Sequence, residues 1–210
     1  MKKLISKYNK IKKRIKERLR DFKKLRKAGD KDLFSELCFC ILTPQSKAVY
    51  CDEAVRILKN RNLLFENNMP AIKNILKSLT RFHNKKAAYL VAASNAFMNN
   101  KKFDIKSKLN PRNIFKTREW LVRNIKGLGY KEASHFLRNI GLGKDIAILD
   151  THILKNLKSF GVIKKIPGSI TKRNYIDIEG KMREFSKKIN IPLEELDLLL
   201  WSNETGFVFK

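Results

Sequence analysis

The sequence predicts an all-α protein, and three observations carry that expectation. Apolar residues recur at three- and four-residue steps through most of the chain. No run alternates apolar and polar residues between turn signals as a strand would. The apolar segments are separated by helix punctuation: Gly29-Asp30, Thr43-Pro44, Asn67-Asn68-Met69-Pro70, Asn110-Pro111 and Pro167-Gly168.

In chain order, Leu4, Tyr8, Ile11, Ile15, Leu19 and Phe22 mark an amphipathic helix with a strongly basic outer face, closed by Ala28-Gly29-Asp30. Asp30 to Ile41 reads as a mostly buried helix, and Ser46 to Leu58 as the next. A turn at Asn67 to Pro70 precedes a helix from Ala71 to Leu79. Arg81-Phe82-His83-Asn84 reads as a loop before a helix from Lys85 to Met98. Asn110-Pro111 restarts a helix through Ile125, a glycine hairpin follows, and Tyr130 to Ile140 is helical up to Gly141. Asp150 opens a helix to Phe160, Thr171 to Ile189 is helical despite Gly180, and Leu193 to Trp201 is the last helix.

Composition narrows the partners. A chain of 210 residues with 43% hydrophobic content can bury a core, as one domain or two small ones. Its formal charge of +27 calls for a polyanion, either nucleic acid or an anionic membrane surface. No apolar run reaches the length of a membrane span, and the Lys-rich N-terminus lacks the apolar stretch and cleavage site of a secretory signal. Cys38, Cys40 and Cys51 are odd in number and cluster early, which suits reduced thiols. With His83, His135 and His152 as the only histidines and no later cysteine, a zinc site is not expected.

The densest chemistry lies at Lys126-Gly127-Leu128-Gly129-Tyr130-Lys131-Glu132-Ala133, with Asp150-Thr151-His152 nineteen residues after Lys131. Glycines in a turn let backbone N–H groups approach a phosphate, because no Cβ holds it away. Lys131 sits at a helix start, an electropositive setting that suits a nucleophilic amine. A downstream carboxylate can stabilise a cation that forms beside it. Taken singly, each piece has a plainer reading: a turn, a phosphate-binding or solvated lysine, and a helix N-cap at Asp150. The combination at this spacing favours a site.

These residues resemble a known family. Gly127 to Ala133 together with Ile148-Leu149-Asp150-Thr151-His152-Ile153 are similar to the helix-hairpin-helix and catalytic aspartate of the endonuclease III superfamily of DNA glycosylases. Ile41-Leu42-Thr43-Pro44-Gln45-Ser46 lies where that family carries a glutamine that fills the gap left by a flipped nucleotide. Arg81-Phe82-His83-Asn84-Lys85-Lys86-Ala87 resembles its Asn-x-Lys-Ala loop. Cluster-binding cysteines after the aspartate are absent, and the chain is too short for an extra β-rich domain. What remains is most similar to the compact archaeal-type 8-oxoguanine DNA glycosylase/lyase, including a lysine at the C-terminus, Lys210.

The resemblance implies two helical subdomains flanking a cleft, one of residues 30–143 with the helix-hairpin-helix, the other of 1–29 plus 144–210. It implies Lys131 as nucleophile at the sugar C1′ and Asp150 as the carboxylate that stabilises the oxocarbenium-like sugar. Gln45, Gly127, Gly129, His83 and Asn84 would contact DNA. Trp201, Phe209 and Lys210 would read the base, the rings by stacking and the tail by its terminal charges. No cofactor and no metal are expected. The expected partner is double-stranded DNA containing an oxidised base, met by a monomer in the prokaryotic cytoplasm and not at a membrane. Three alternatives stay open: a glycosylase for another oxidised base, a non-enzymatic helix-hairpin-helix DNA-binding module, and a membrane-surface protein built on the first helix.

Overall fold

A computed structural model of the chain describes residues 2–99 and 102–210. Among them the α-helices follow in the order α1 (Lys2–Leu25), α2 (Asp30–Leu42), α3 (Ala48–Asn60), α4 (Met69–Leu79), α5 (His83–Phe97), α6 (Ile114–Asn124), α7 (Tyr130–Asn139), α8 (Thr151–Ser159), α9 (Lys172–Lys188) and α10 (Leu193–Thr205). The expected all-α class holds. One small addition is a two-stranded antiparallel ribbon, β1 (Met98–Asn99) with β2 (Lys102–Phe103), in which Met98 faces Phe103. Two-residue strands are too short to carry a period-two pattern, so no sequence signal marks them. The chain divides into two compact units, Lys27–Phe136 and Met1–Arg26 with Leu137–Lys210.

The unit Lys27–Phe136 is built around α2, where Leu33 through Leu42 are all buried. A helix apolar on every side belongs at the centre of a bundle. Around Phe34 lie Phe65, Phe97 and Phe103, with ring centroids 6.0, 6.1 and 4.8 Å away. Asp30 opens α2 and also accepts the Ile105 and Lys106 N–H groups at 2.8 and 2.9 Å, which ties a short 3-10 turn to the helix start. Asn68 caps α4 by accepting the Ala71 N–H, and Asn113 caps α6 by accepting that of Lys116. That second cap moves the start of α6 to Ile114, later than Asn110-Pro111 suggested.

In the other unit, α1 buries Leu4, Tyr8, Ile15, Leu19 and Phe22 along one stripe. The Tyr8 hydroxyl donates to Glu195 on α10 at 2.7 Å. The outer face of α1 is Lys and Arg, interrupted by Glu17 and Asp21. At Gly141 (φ +74°), just beyond α7, an added Cβ would lie 2.8 Å from the Lys23 backbone, so glycine is what lets α1 approach there. No described helix is long and apolar enough to cross a membrane.

Candidate active site

The C-terminal end of α2 runs into Thr43-Pro44-Gln45-Ser46, a tight turn closed by the Ser46 N–H to the Thr43 carbonyl at 3.1 Å. Gln45 is exposed and left-handed, φ +54°, at a position where such turns favour glycine. Below the turn lies Lys86, only 4% exposed. Its Nζ donates to the Leu42 carbonyl at 2.7 Å, the Pro44 carbonyl at 2.9 Å and Ser46 Oγ at 2.7 Å. Those bonds use all three donors of the ammonium. Burial holds Lys86 below the usual lysine range; the nearby Cys51 thiol works against that shift, and the charges of Lys131 and Arg81 add to it. Cys51 donates to the same Leu42 carbonyl at 3.2 Å, and burial pushes its thiol up to about 11.

His83 and Asn84, expected in a loop, instead form the first turn of α5. Phe82 precedes them in the left-handed conformation (φ 58°), and the Lys86 N–H bonds the Phe82 carbonyl at 3.0 Å, closing the turn two residues earlier than the sequence suggested. The Phe82 ring is 52% exposed, with the Arg81 guanidinium 5.6 Å from its centroid.

The hairpin between α6 and α7 is anchored by Ile125 and Leu128, both buried, with the Leu128 N–H bonded to the Ile125 carbonyl at 3.2 Å. Gly127 (φ +88°) could carry no side chain: a Cβ would meet the Tyr89 ring at 2.5 Å. The Gly129 N–H donates to Glu132 Oε2 at 3.1 Å, the glutamate half of a capping box at the start of α7. Lys131 follows directly, its side chain 25% exposed. Its Nζ lies 3.3 Å from Glu132 Oε1 and 3.5 Å from Thr43 Oγ1. Thus one unit gathers a partly open lysine, a carboxylate beside it, the Gln45 turn and the glycine hairpin.

Asp150 belongs to the other unit. It caps α8, accepting the Ile153 N–H at 2.8 Å. The approach to it, Ile146 through Leu149, is buried yet not helical. Three of its N–H groups are taken by side chains: Ala147 by Glu179 at 2.9 Å, Ile148 by Asp197 at 3.4 Å and Leu149 by the Tyr175 hydroxyl at 3.3 Å. Burial pushes the Asp197 carboxyl up to about 6, the Asp150 charge adds to that, and Arg138, 3.7 Å away, opposes it. At the chain end, left-handed Gly206 stops α10 beyond the expected Trp201 and turns the tail back. Trp201 then lies 6.3 Å from Phe209 at 27° and 5.6 Å from Phe207, edge to face. The rings expected to stack on a base are thus gathered in one cluster, with half-exposed Lys210 at its end.

A family model described as 8-oxoguanine DNA glycosylase (Ogg-HhH) matches residues 15–191. The chain belongs to this family. It is 43% identical over 205 residues to an 8-oxoguanine DNA glycosylase/AP lyase of Fusobacterium nucleatum, covering 97% of this chain and 94% of that protein. Among solved structures, the Thermotoga maritima 8-oxoguanine DNA glycosylase superposes with a TM-score of 0.87 at 33% identity, covering 100% and 97% of the two chains. The Methanocaldococcus jannaschii 8-oxoguanine glycosylase/lyase in complex with a 15mer DNA containing 8-oxoguanine gives 0.84 at 39% identity, covering 99% of each. Two of these relatives are bacterial, so the resemblance to an archaeal type extends beyond archaea.

In this Ogg-HhH chain, sequence reasoning passed over four residues: Lys86, Phe82, Glu132 and Asp197. Lys86 carries no sequence signal of its burial, because a buried lysine and a solvated one share a letter. Phe82 did carry a signal, an aromatic residue in a polar loop. Glu132 carried one as well, since a glutamate three residues after a helix N-cap can accept the N-cap N–H.

Proposed function

We propose that this chain excises 8-oxoguanine from DNA and then cuts the resulting abasic site by β-elimination, as a bifunctional DNA glycosylase and AP lyase of base excision repair. The observation that carries the reading is Lys131 at the first turn of α7, partly open and directly after the glycine hairpin, in a chain of the 8-oxoguanine glycosylase family. The damaged nucleotide is rotated out of the duplex, and Gln45 enters the vacated stack, with exposed Phe82 beside it. Gly127 and Gly129 approach a phosphate near the lesion; for Gly129 this requires that Glu132 release its N–H. His83 and Asn84, at the electropositive start of α5, contact the same backbone.

Lys131 attacks C1′ of the sugar. The C1′–N9 bond breaks, its electron pair leaves with the base, and a proton neutralises the departing purine. The amine loses a proton as the C1′–N bond forms; the C1′–O4′ bond then breaks, O4′ takes a proton, and the nitrogen lone pair closes the imine at C1′. Glu132, 3.3 Å from the amine, is placed to take the amine proton. Asp150 remains a carboxylate and stabilises the cationic sugar. Loss of a C2′ proton from the imine then expels the 3′ phosphate. Trp201 and Phe209 stack on the base, and an oxygen of the tail at Lys210 accepts from N7–H, a donor that guanine lacks. The enzyme works as a monomer in the cytoplasm. Borohydride reduction of the imine tests the assignment: wild type should cross-link to a duplex containing 8-oxoguanine, whereas Lys131→Gln binds the duplex without cross-linking. Full trapping by Lys131→Gln would remove Lys131 from the mechanism.

A second reading, a glycosylase for an oxidised pyrimidine, shares every residue except the base-reading tail. Excision measured on a panel of lesions separates the two.

A further inference from the structure

Five non-glycine residues are left-handed among those described: Gln45, Asn62, Asn67, Phe82 and Asn190. Asparagine tolerates that conformation; glutamine and phenylalanine do not share its short amide. Gln45 and Phe82 are therefore the two positions where the backbone is strained without help from the residue type, and both are exposed. Such strain persists only where the surroundings over-determine it.

The surroundings do so through one hydroxyl and one ammonium. Ser46 Oγ accepts the Arg81 N–H at 2.9 Å and Lys86 Nζ at 2.7 Å, so it joins the Gln45 turn to the segment carrying Phe82. Lys86 also grips the Leu42 and Pro44 carbonyls, which lie before Gln45, as Ser46 lies after it. The ammonium thus bridges the turn from both sides. Leu42 ends α2, whose carbonyl end is the negative pole of the helix, so a cation is favoured there. With all three donors engaged and 4% exposure, Lys86 is not available as a nucleophile.

We propose that Lys86 is a positioning residue that locks the Gln45 turn in its left-handed form, so that the Gln45 amide is presented ready to enter the base stack as the lesion leaves it. The inference rests on the glycosylase reading above. Preorganisation of this kind lowers the cost of ordering the turn when the base pair opens. It therefore matters for a paired lesion and little for one that has no opposite base to strand.

Lys86→Met keeps the stem and removes every donor. Single-turnover excision should fall about tenfold or more on 8-oxoguanine paired with cytosine. It should change by less than about twofold on 8-oxoguanine opposite an abasic site. Gln45→Ala should slow excision of the cytosine-paired lesion to a similar degree, and on that substrate the double variant should be no slower than the worse single one, because the two residues act as a unit. Equal losses on both substrates, or losses that multiply in the double variant, would overturn the proposal. If Lys86→Met does not fold by circular dichroism, Ser46→Ala, which cuts one of the three bonds and the tie to Arg81, carries the same comparison. Borohydride trapping of each variant on abasic DNA separates outcomes: a wild type that neither excises nor traps sinks the glycosylase reading itself, whereas a wild type that does both while the variants lose both substrates equally sinks only the role of Lys86.

Discussion

The Asp150 carboxylate serves α8 as a cap, accepting the Ile153 N–H at 2.8 Å, and the chemistry asks it also to face a cation. Asparagine separates the two roles, because its carbonyl oxygen caps about as well while carrying no charge. Asp150→Asn should shift the melting temperature by little and slow base excision by orders of magnitude; near-wild-type excision would leave Asp150 as a cap alone. In the tail after α10, removing Lys210 deletes an ammonium and shortens the segment that reads the base while leaving Lys131 and Asp150 in place. Excision of 8-oxoguanine should drop, and cutting at a pre-formed abasic site should be largely kept, since an abasic site offers no base to read. Equal losses on both substrates would make the tail structural.

At the scale of elements, the segment from Ile146 to Leu149 positions Asp150 without regular structure of its own. Its polar backbone is satisfied by Glu179, Asp197 and Tyr175, which come from α9 and α10. Burial with Asp150 nearby pushes Asp197 up to about 6 from 3.8. A carboxyl whose folded value is raised favours folding at low pH, fully so below its unfolded value, and that contribution is lost as pH rises through the folded value. Asp197→Asn lacks this slope. Its melting temperature relative to wild type should therefore improve as pH is raised from about 4 to about 7, by calorimetry at matched ionic strength. A constant difference across that window would place Asp197 near its ordinary value. This clamp was illegible in the sequence because its partners lie between 26 and 49 residues apart, and buried carboxylates read like surface ones. The helices were legible for the opposite reason. The α1 stripe, the Asn68, Asp150 and Thr171 caps and the glycine hairpin are all local signals. Gln45 stood out only through the family resemblance of Ile41 to Ser46, whereas the Lys86 bonds that hold its turn run to backbone carbonyls, which leave no trace in a side-chain pattern.

At the scale of the whole molecule, a charge of +27 sets how the protein meets DNA before any lesion is found. Each phosphate neutralised by Lys or Arg releases counterions, so affinity for undamaged duplex falls steeply with salt, on the order of a thousandfold between about 50 and about 200 mM if about six phosphates are engaged. Fluorescence anisotropy across a salt series checks this, and a flat response would mean that the basic surface does not track the backbone. The sequence made this property plain by composition alone, but composition could not choose between nucleic acid and membrane. The family match supplies DNA as the partner.

Cys38, Cys40 and Cys51 are all buried, none forms a disulfide, and burial holds the Cys38 and Cys51 thiols protonated at neutral pH. Peroxide reacts with the thiolate and with thiols it can reach. An enzyme whose substrate appears when oxidants attack guanine therefore presents those oxidants with cysteine sulfur that is buried and, at Cys38 and Cys51, uncharged.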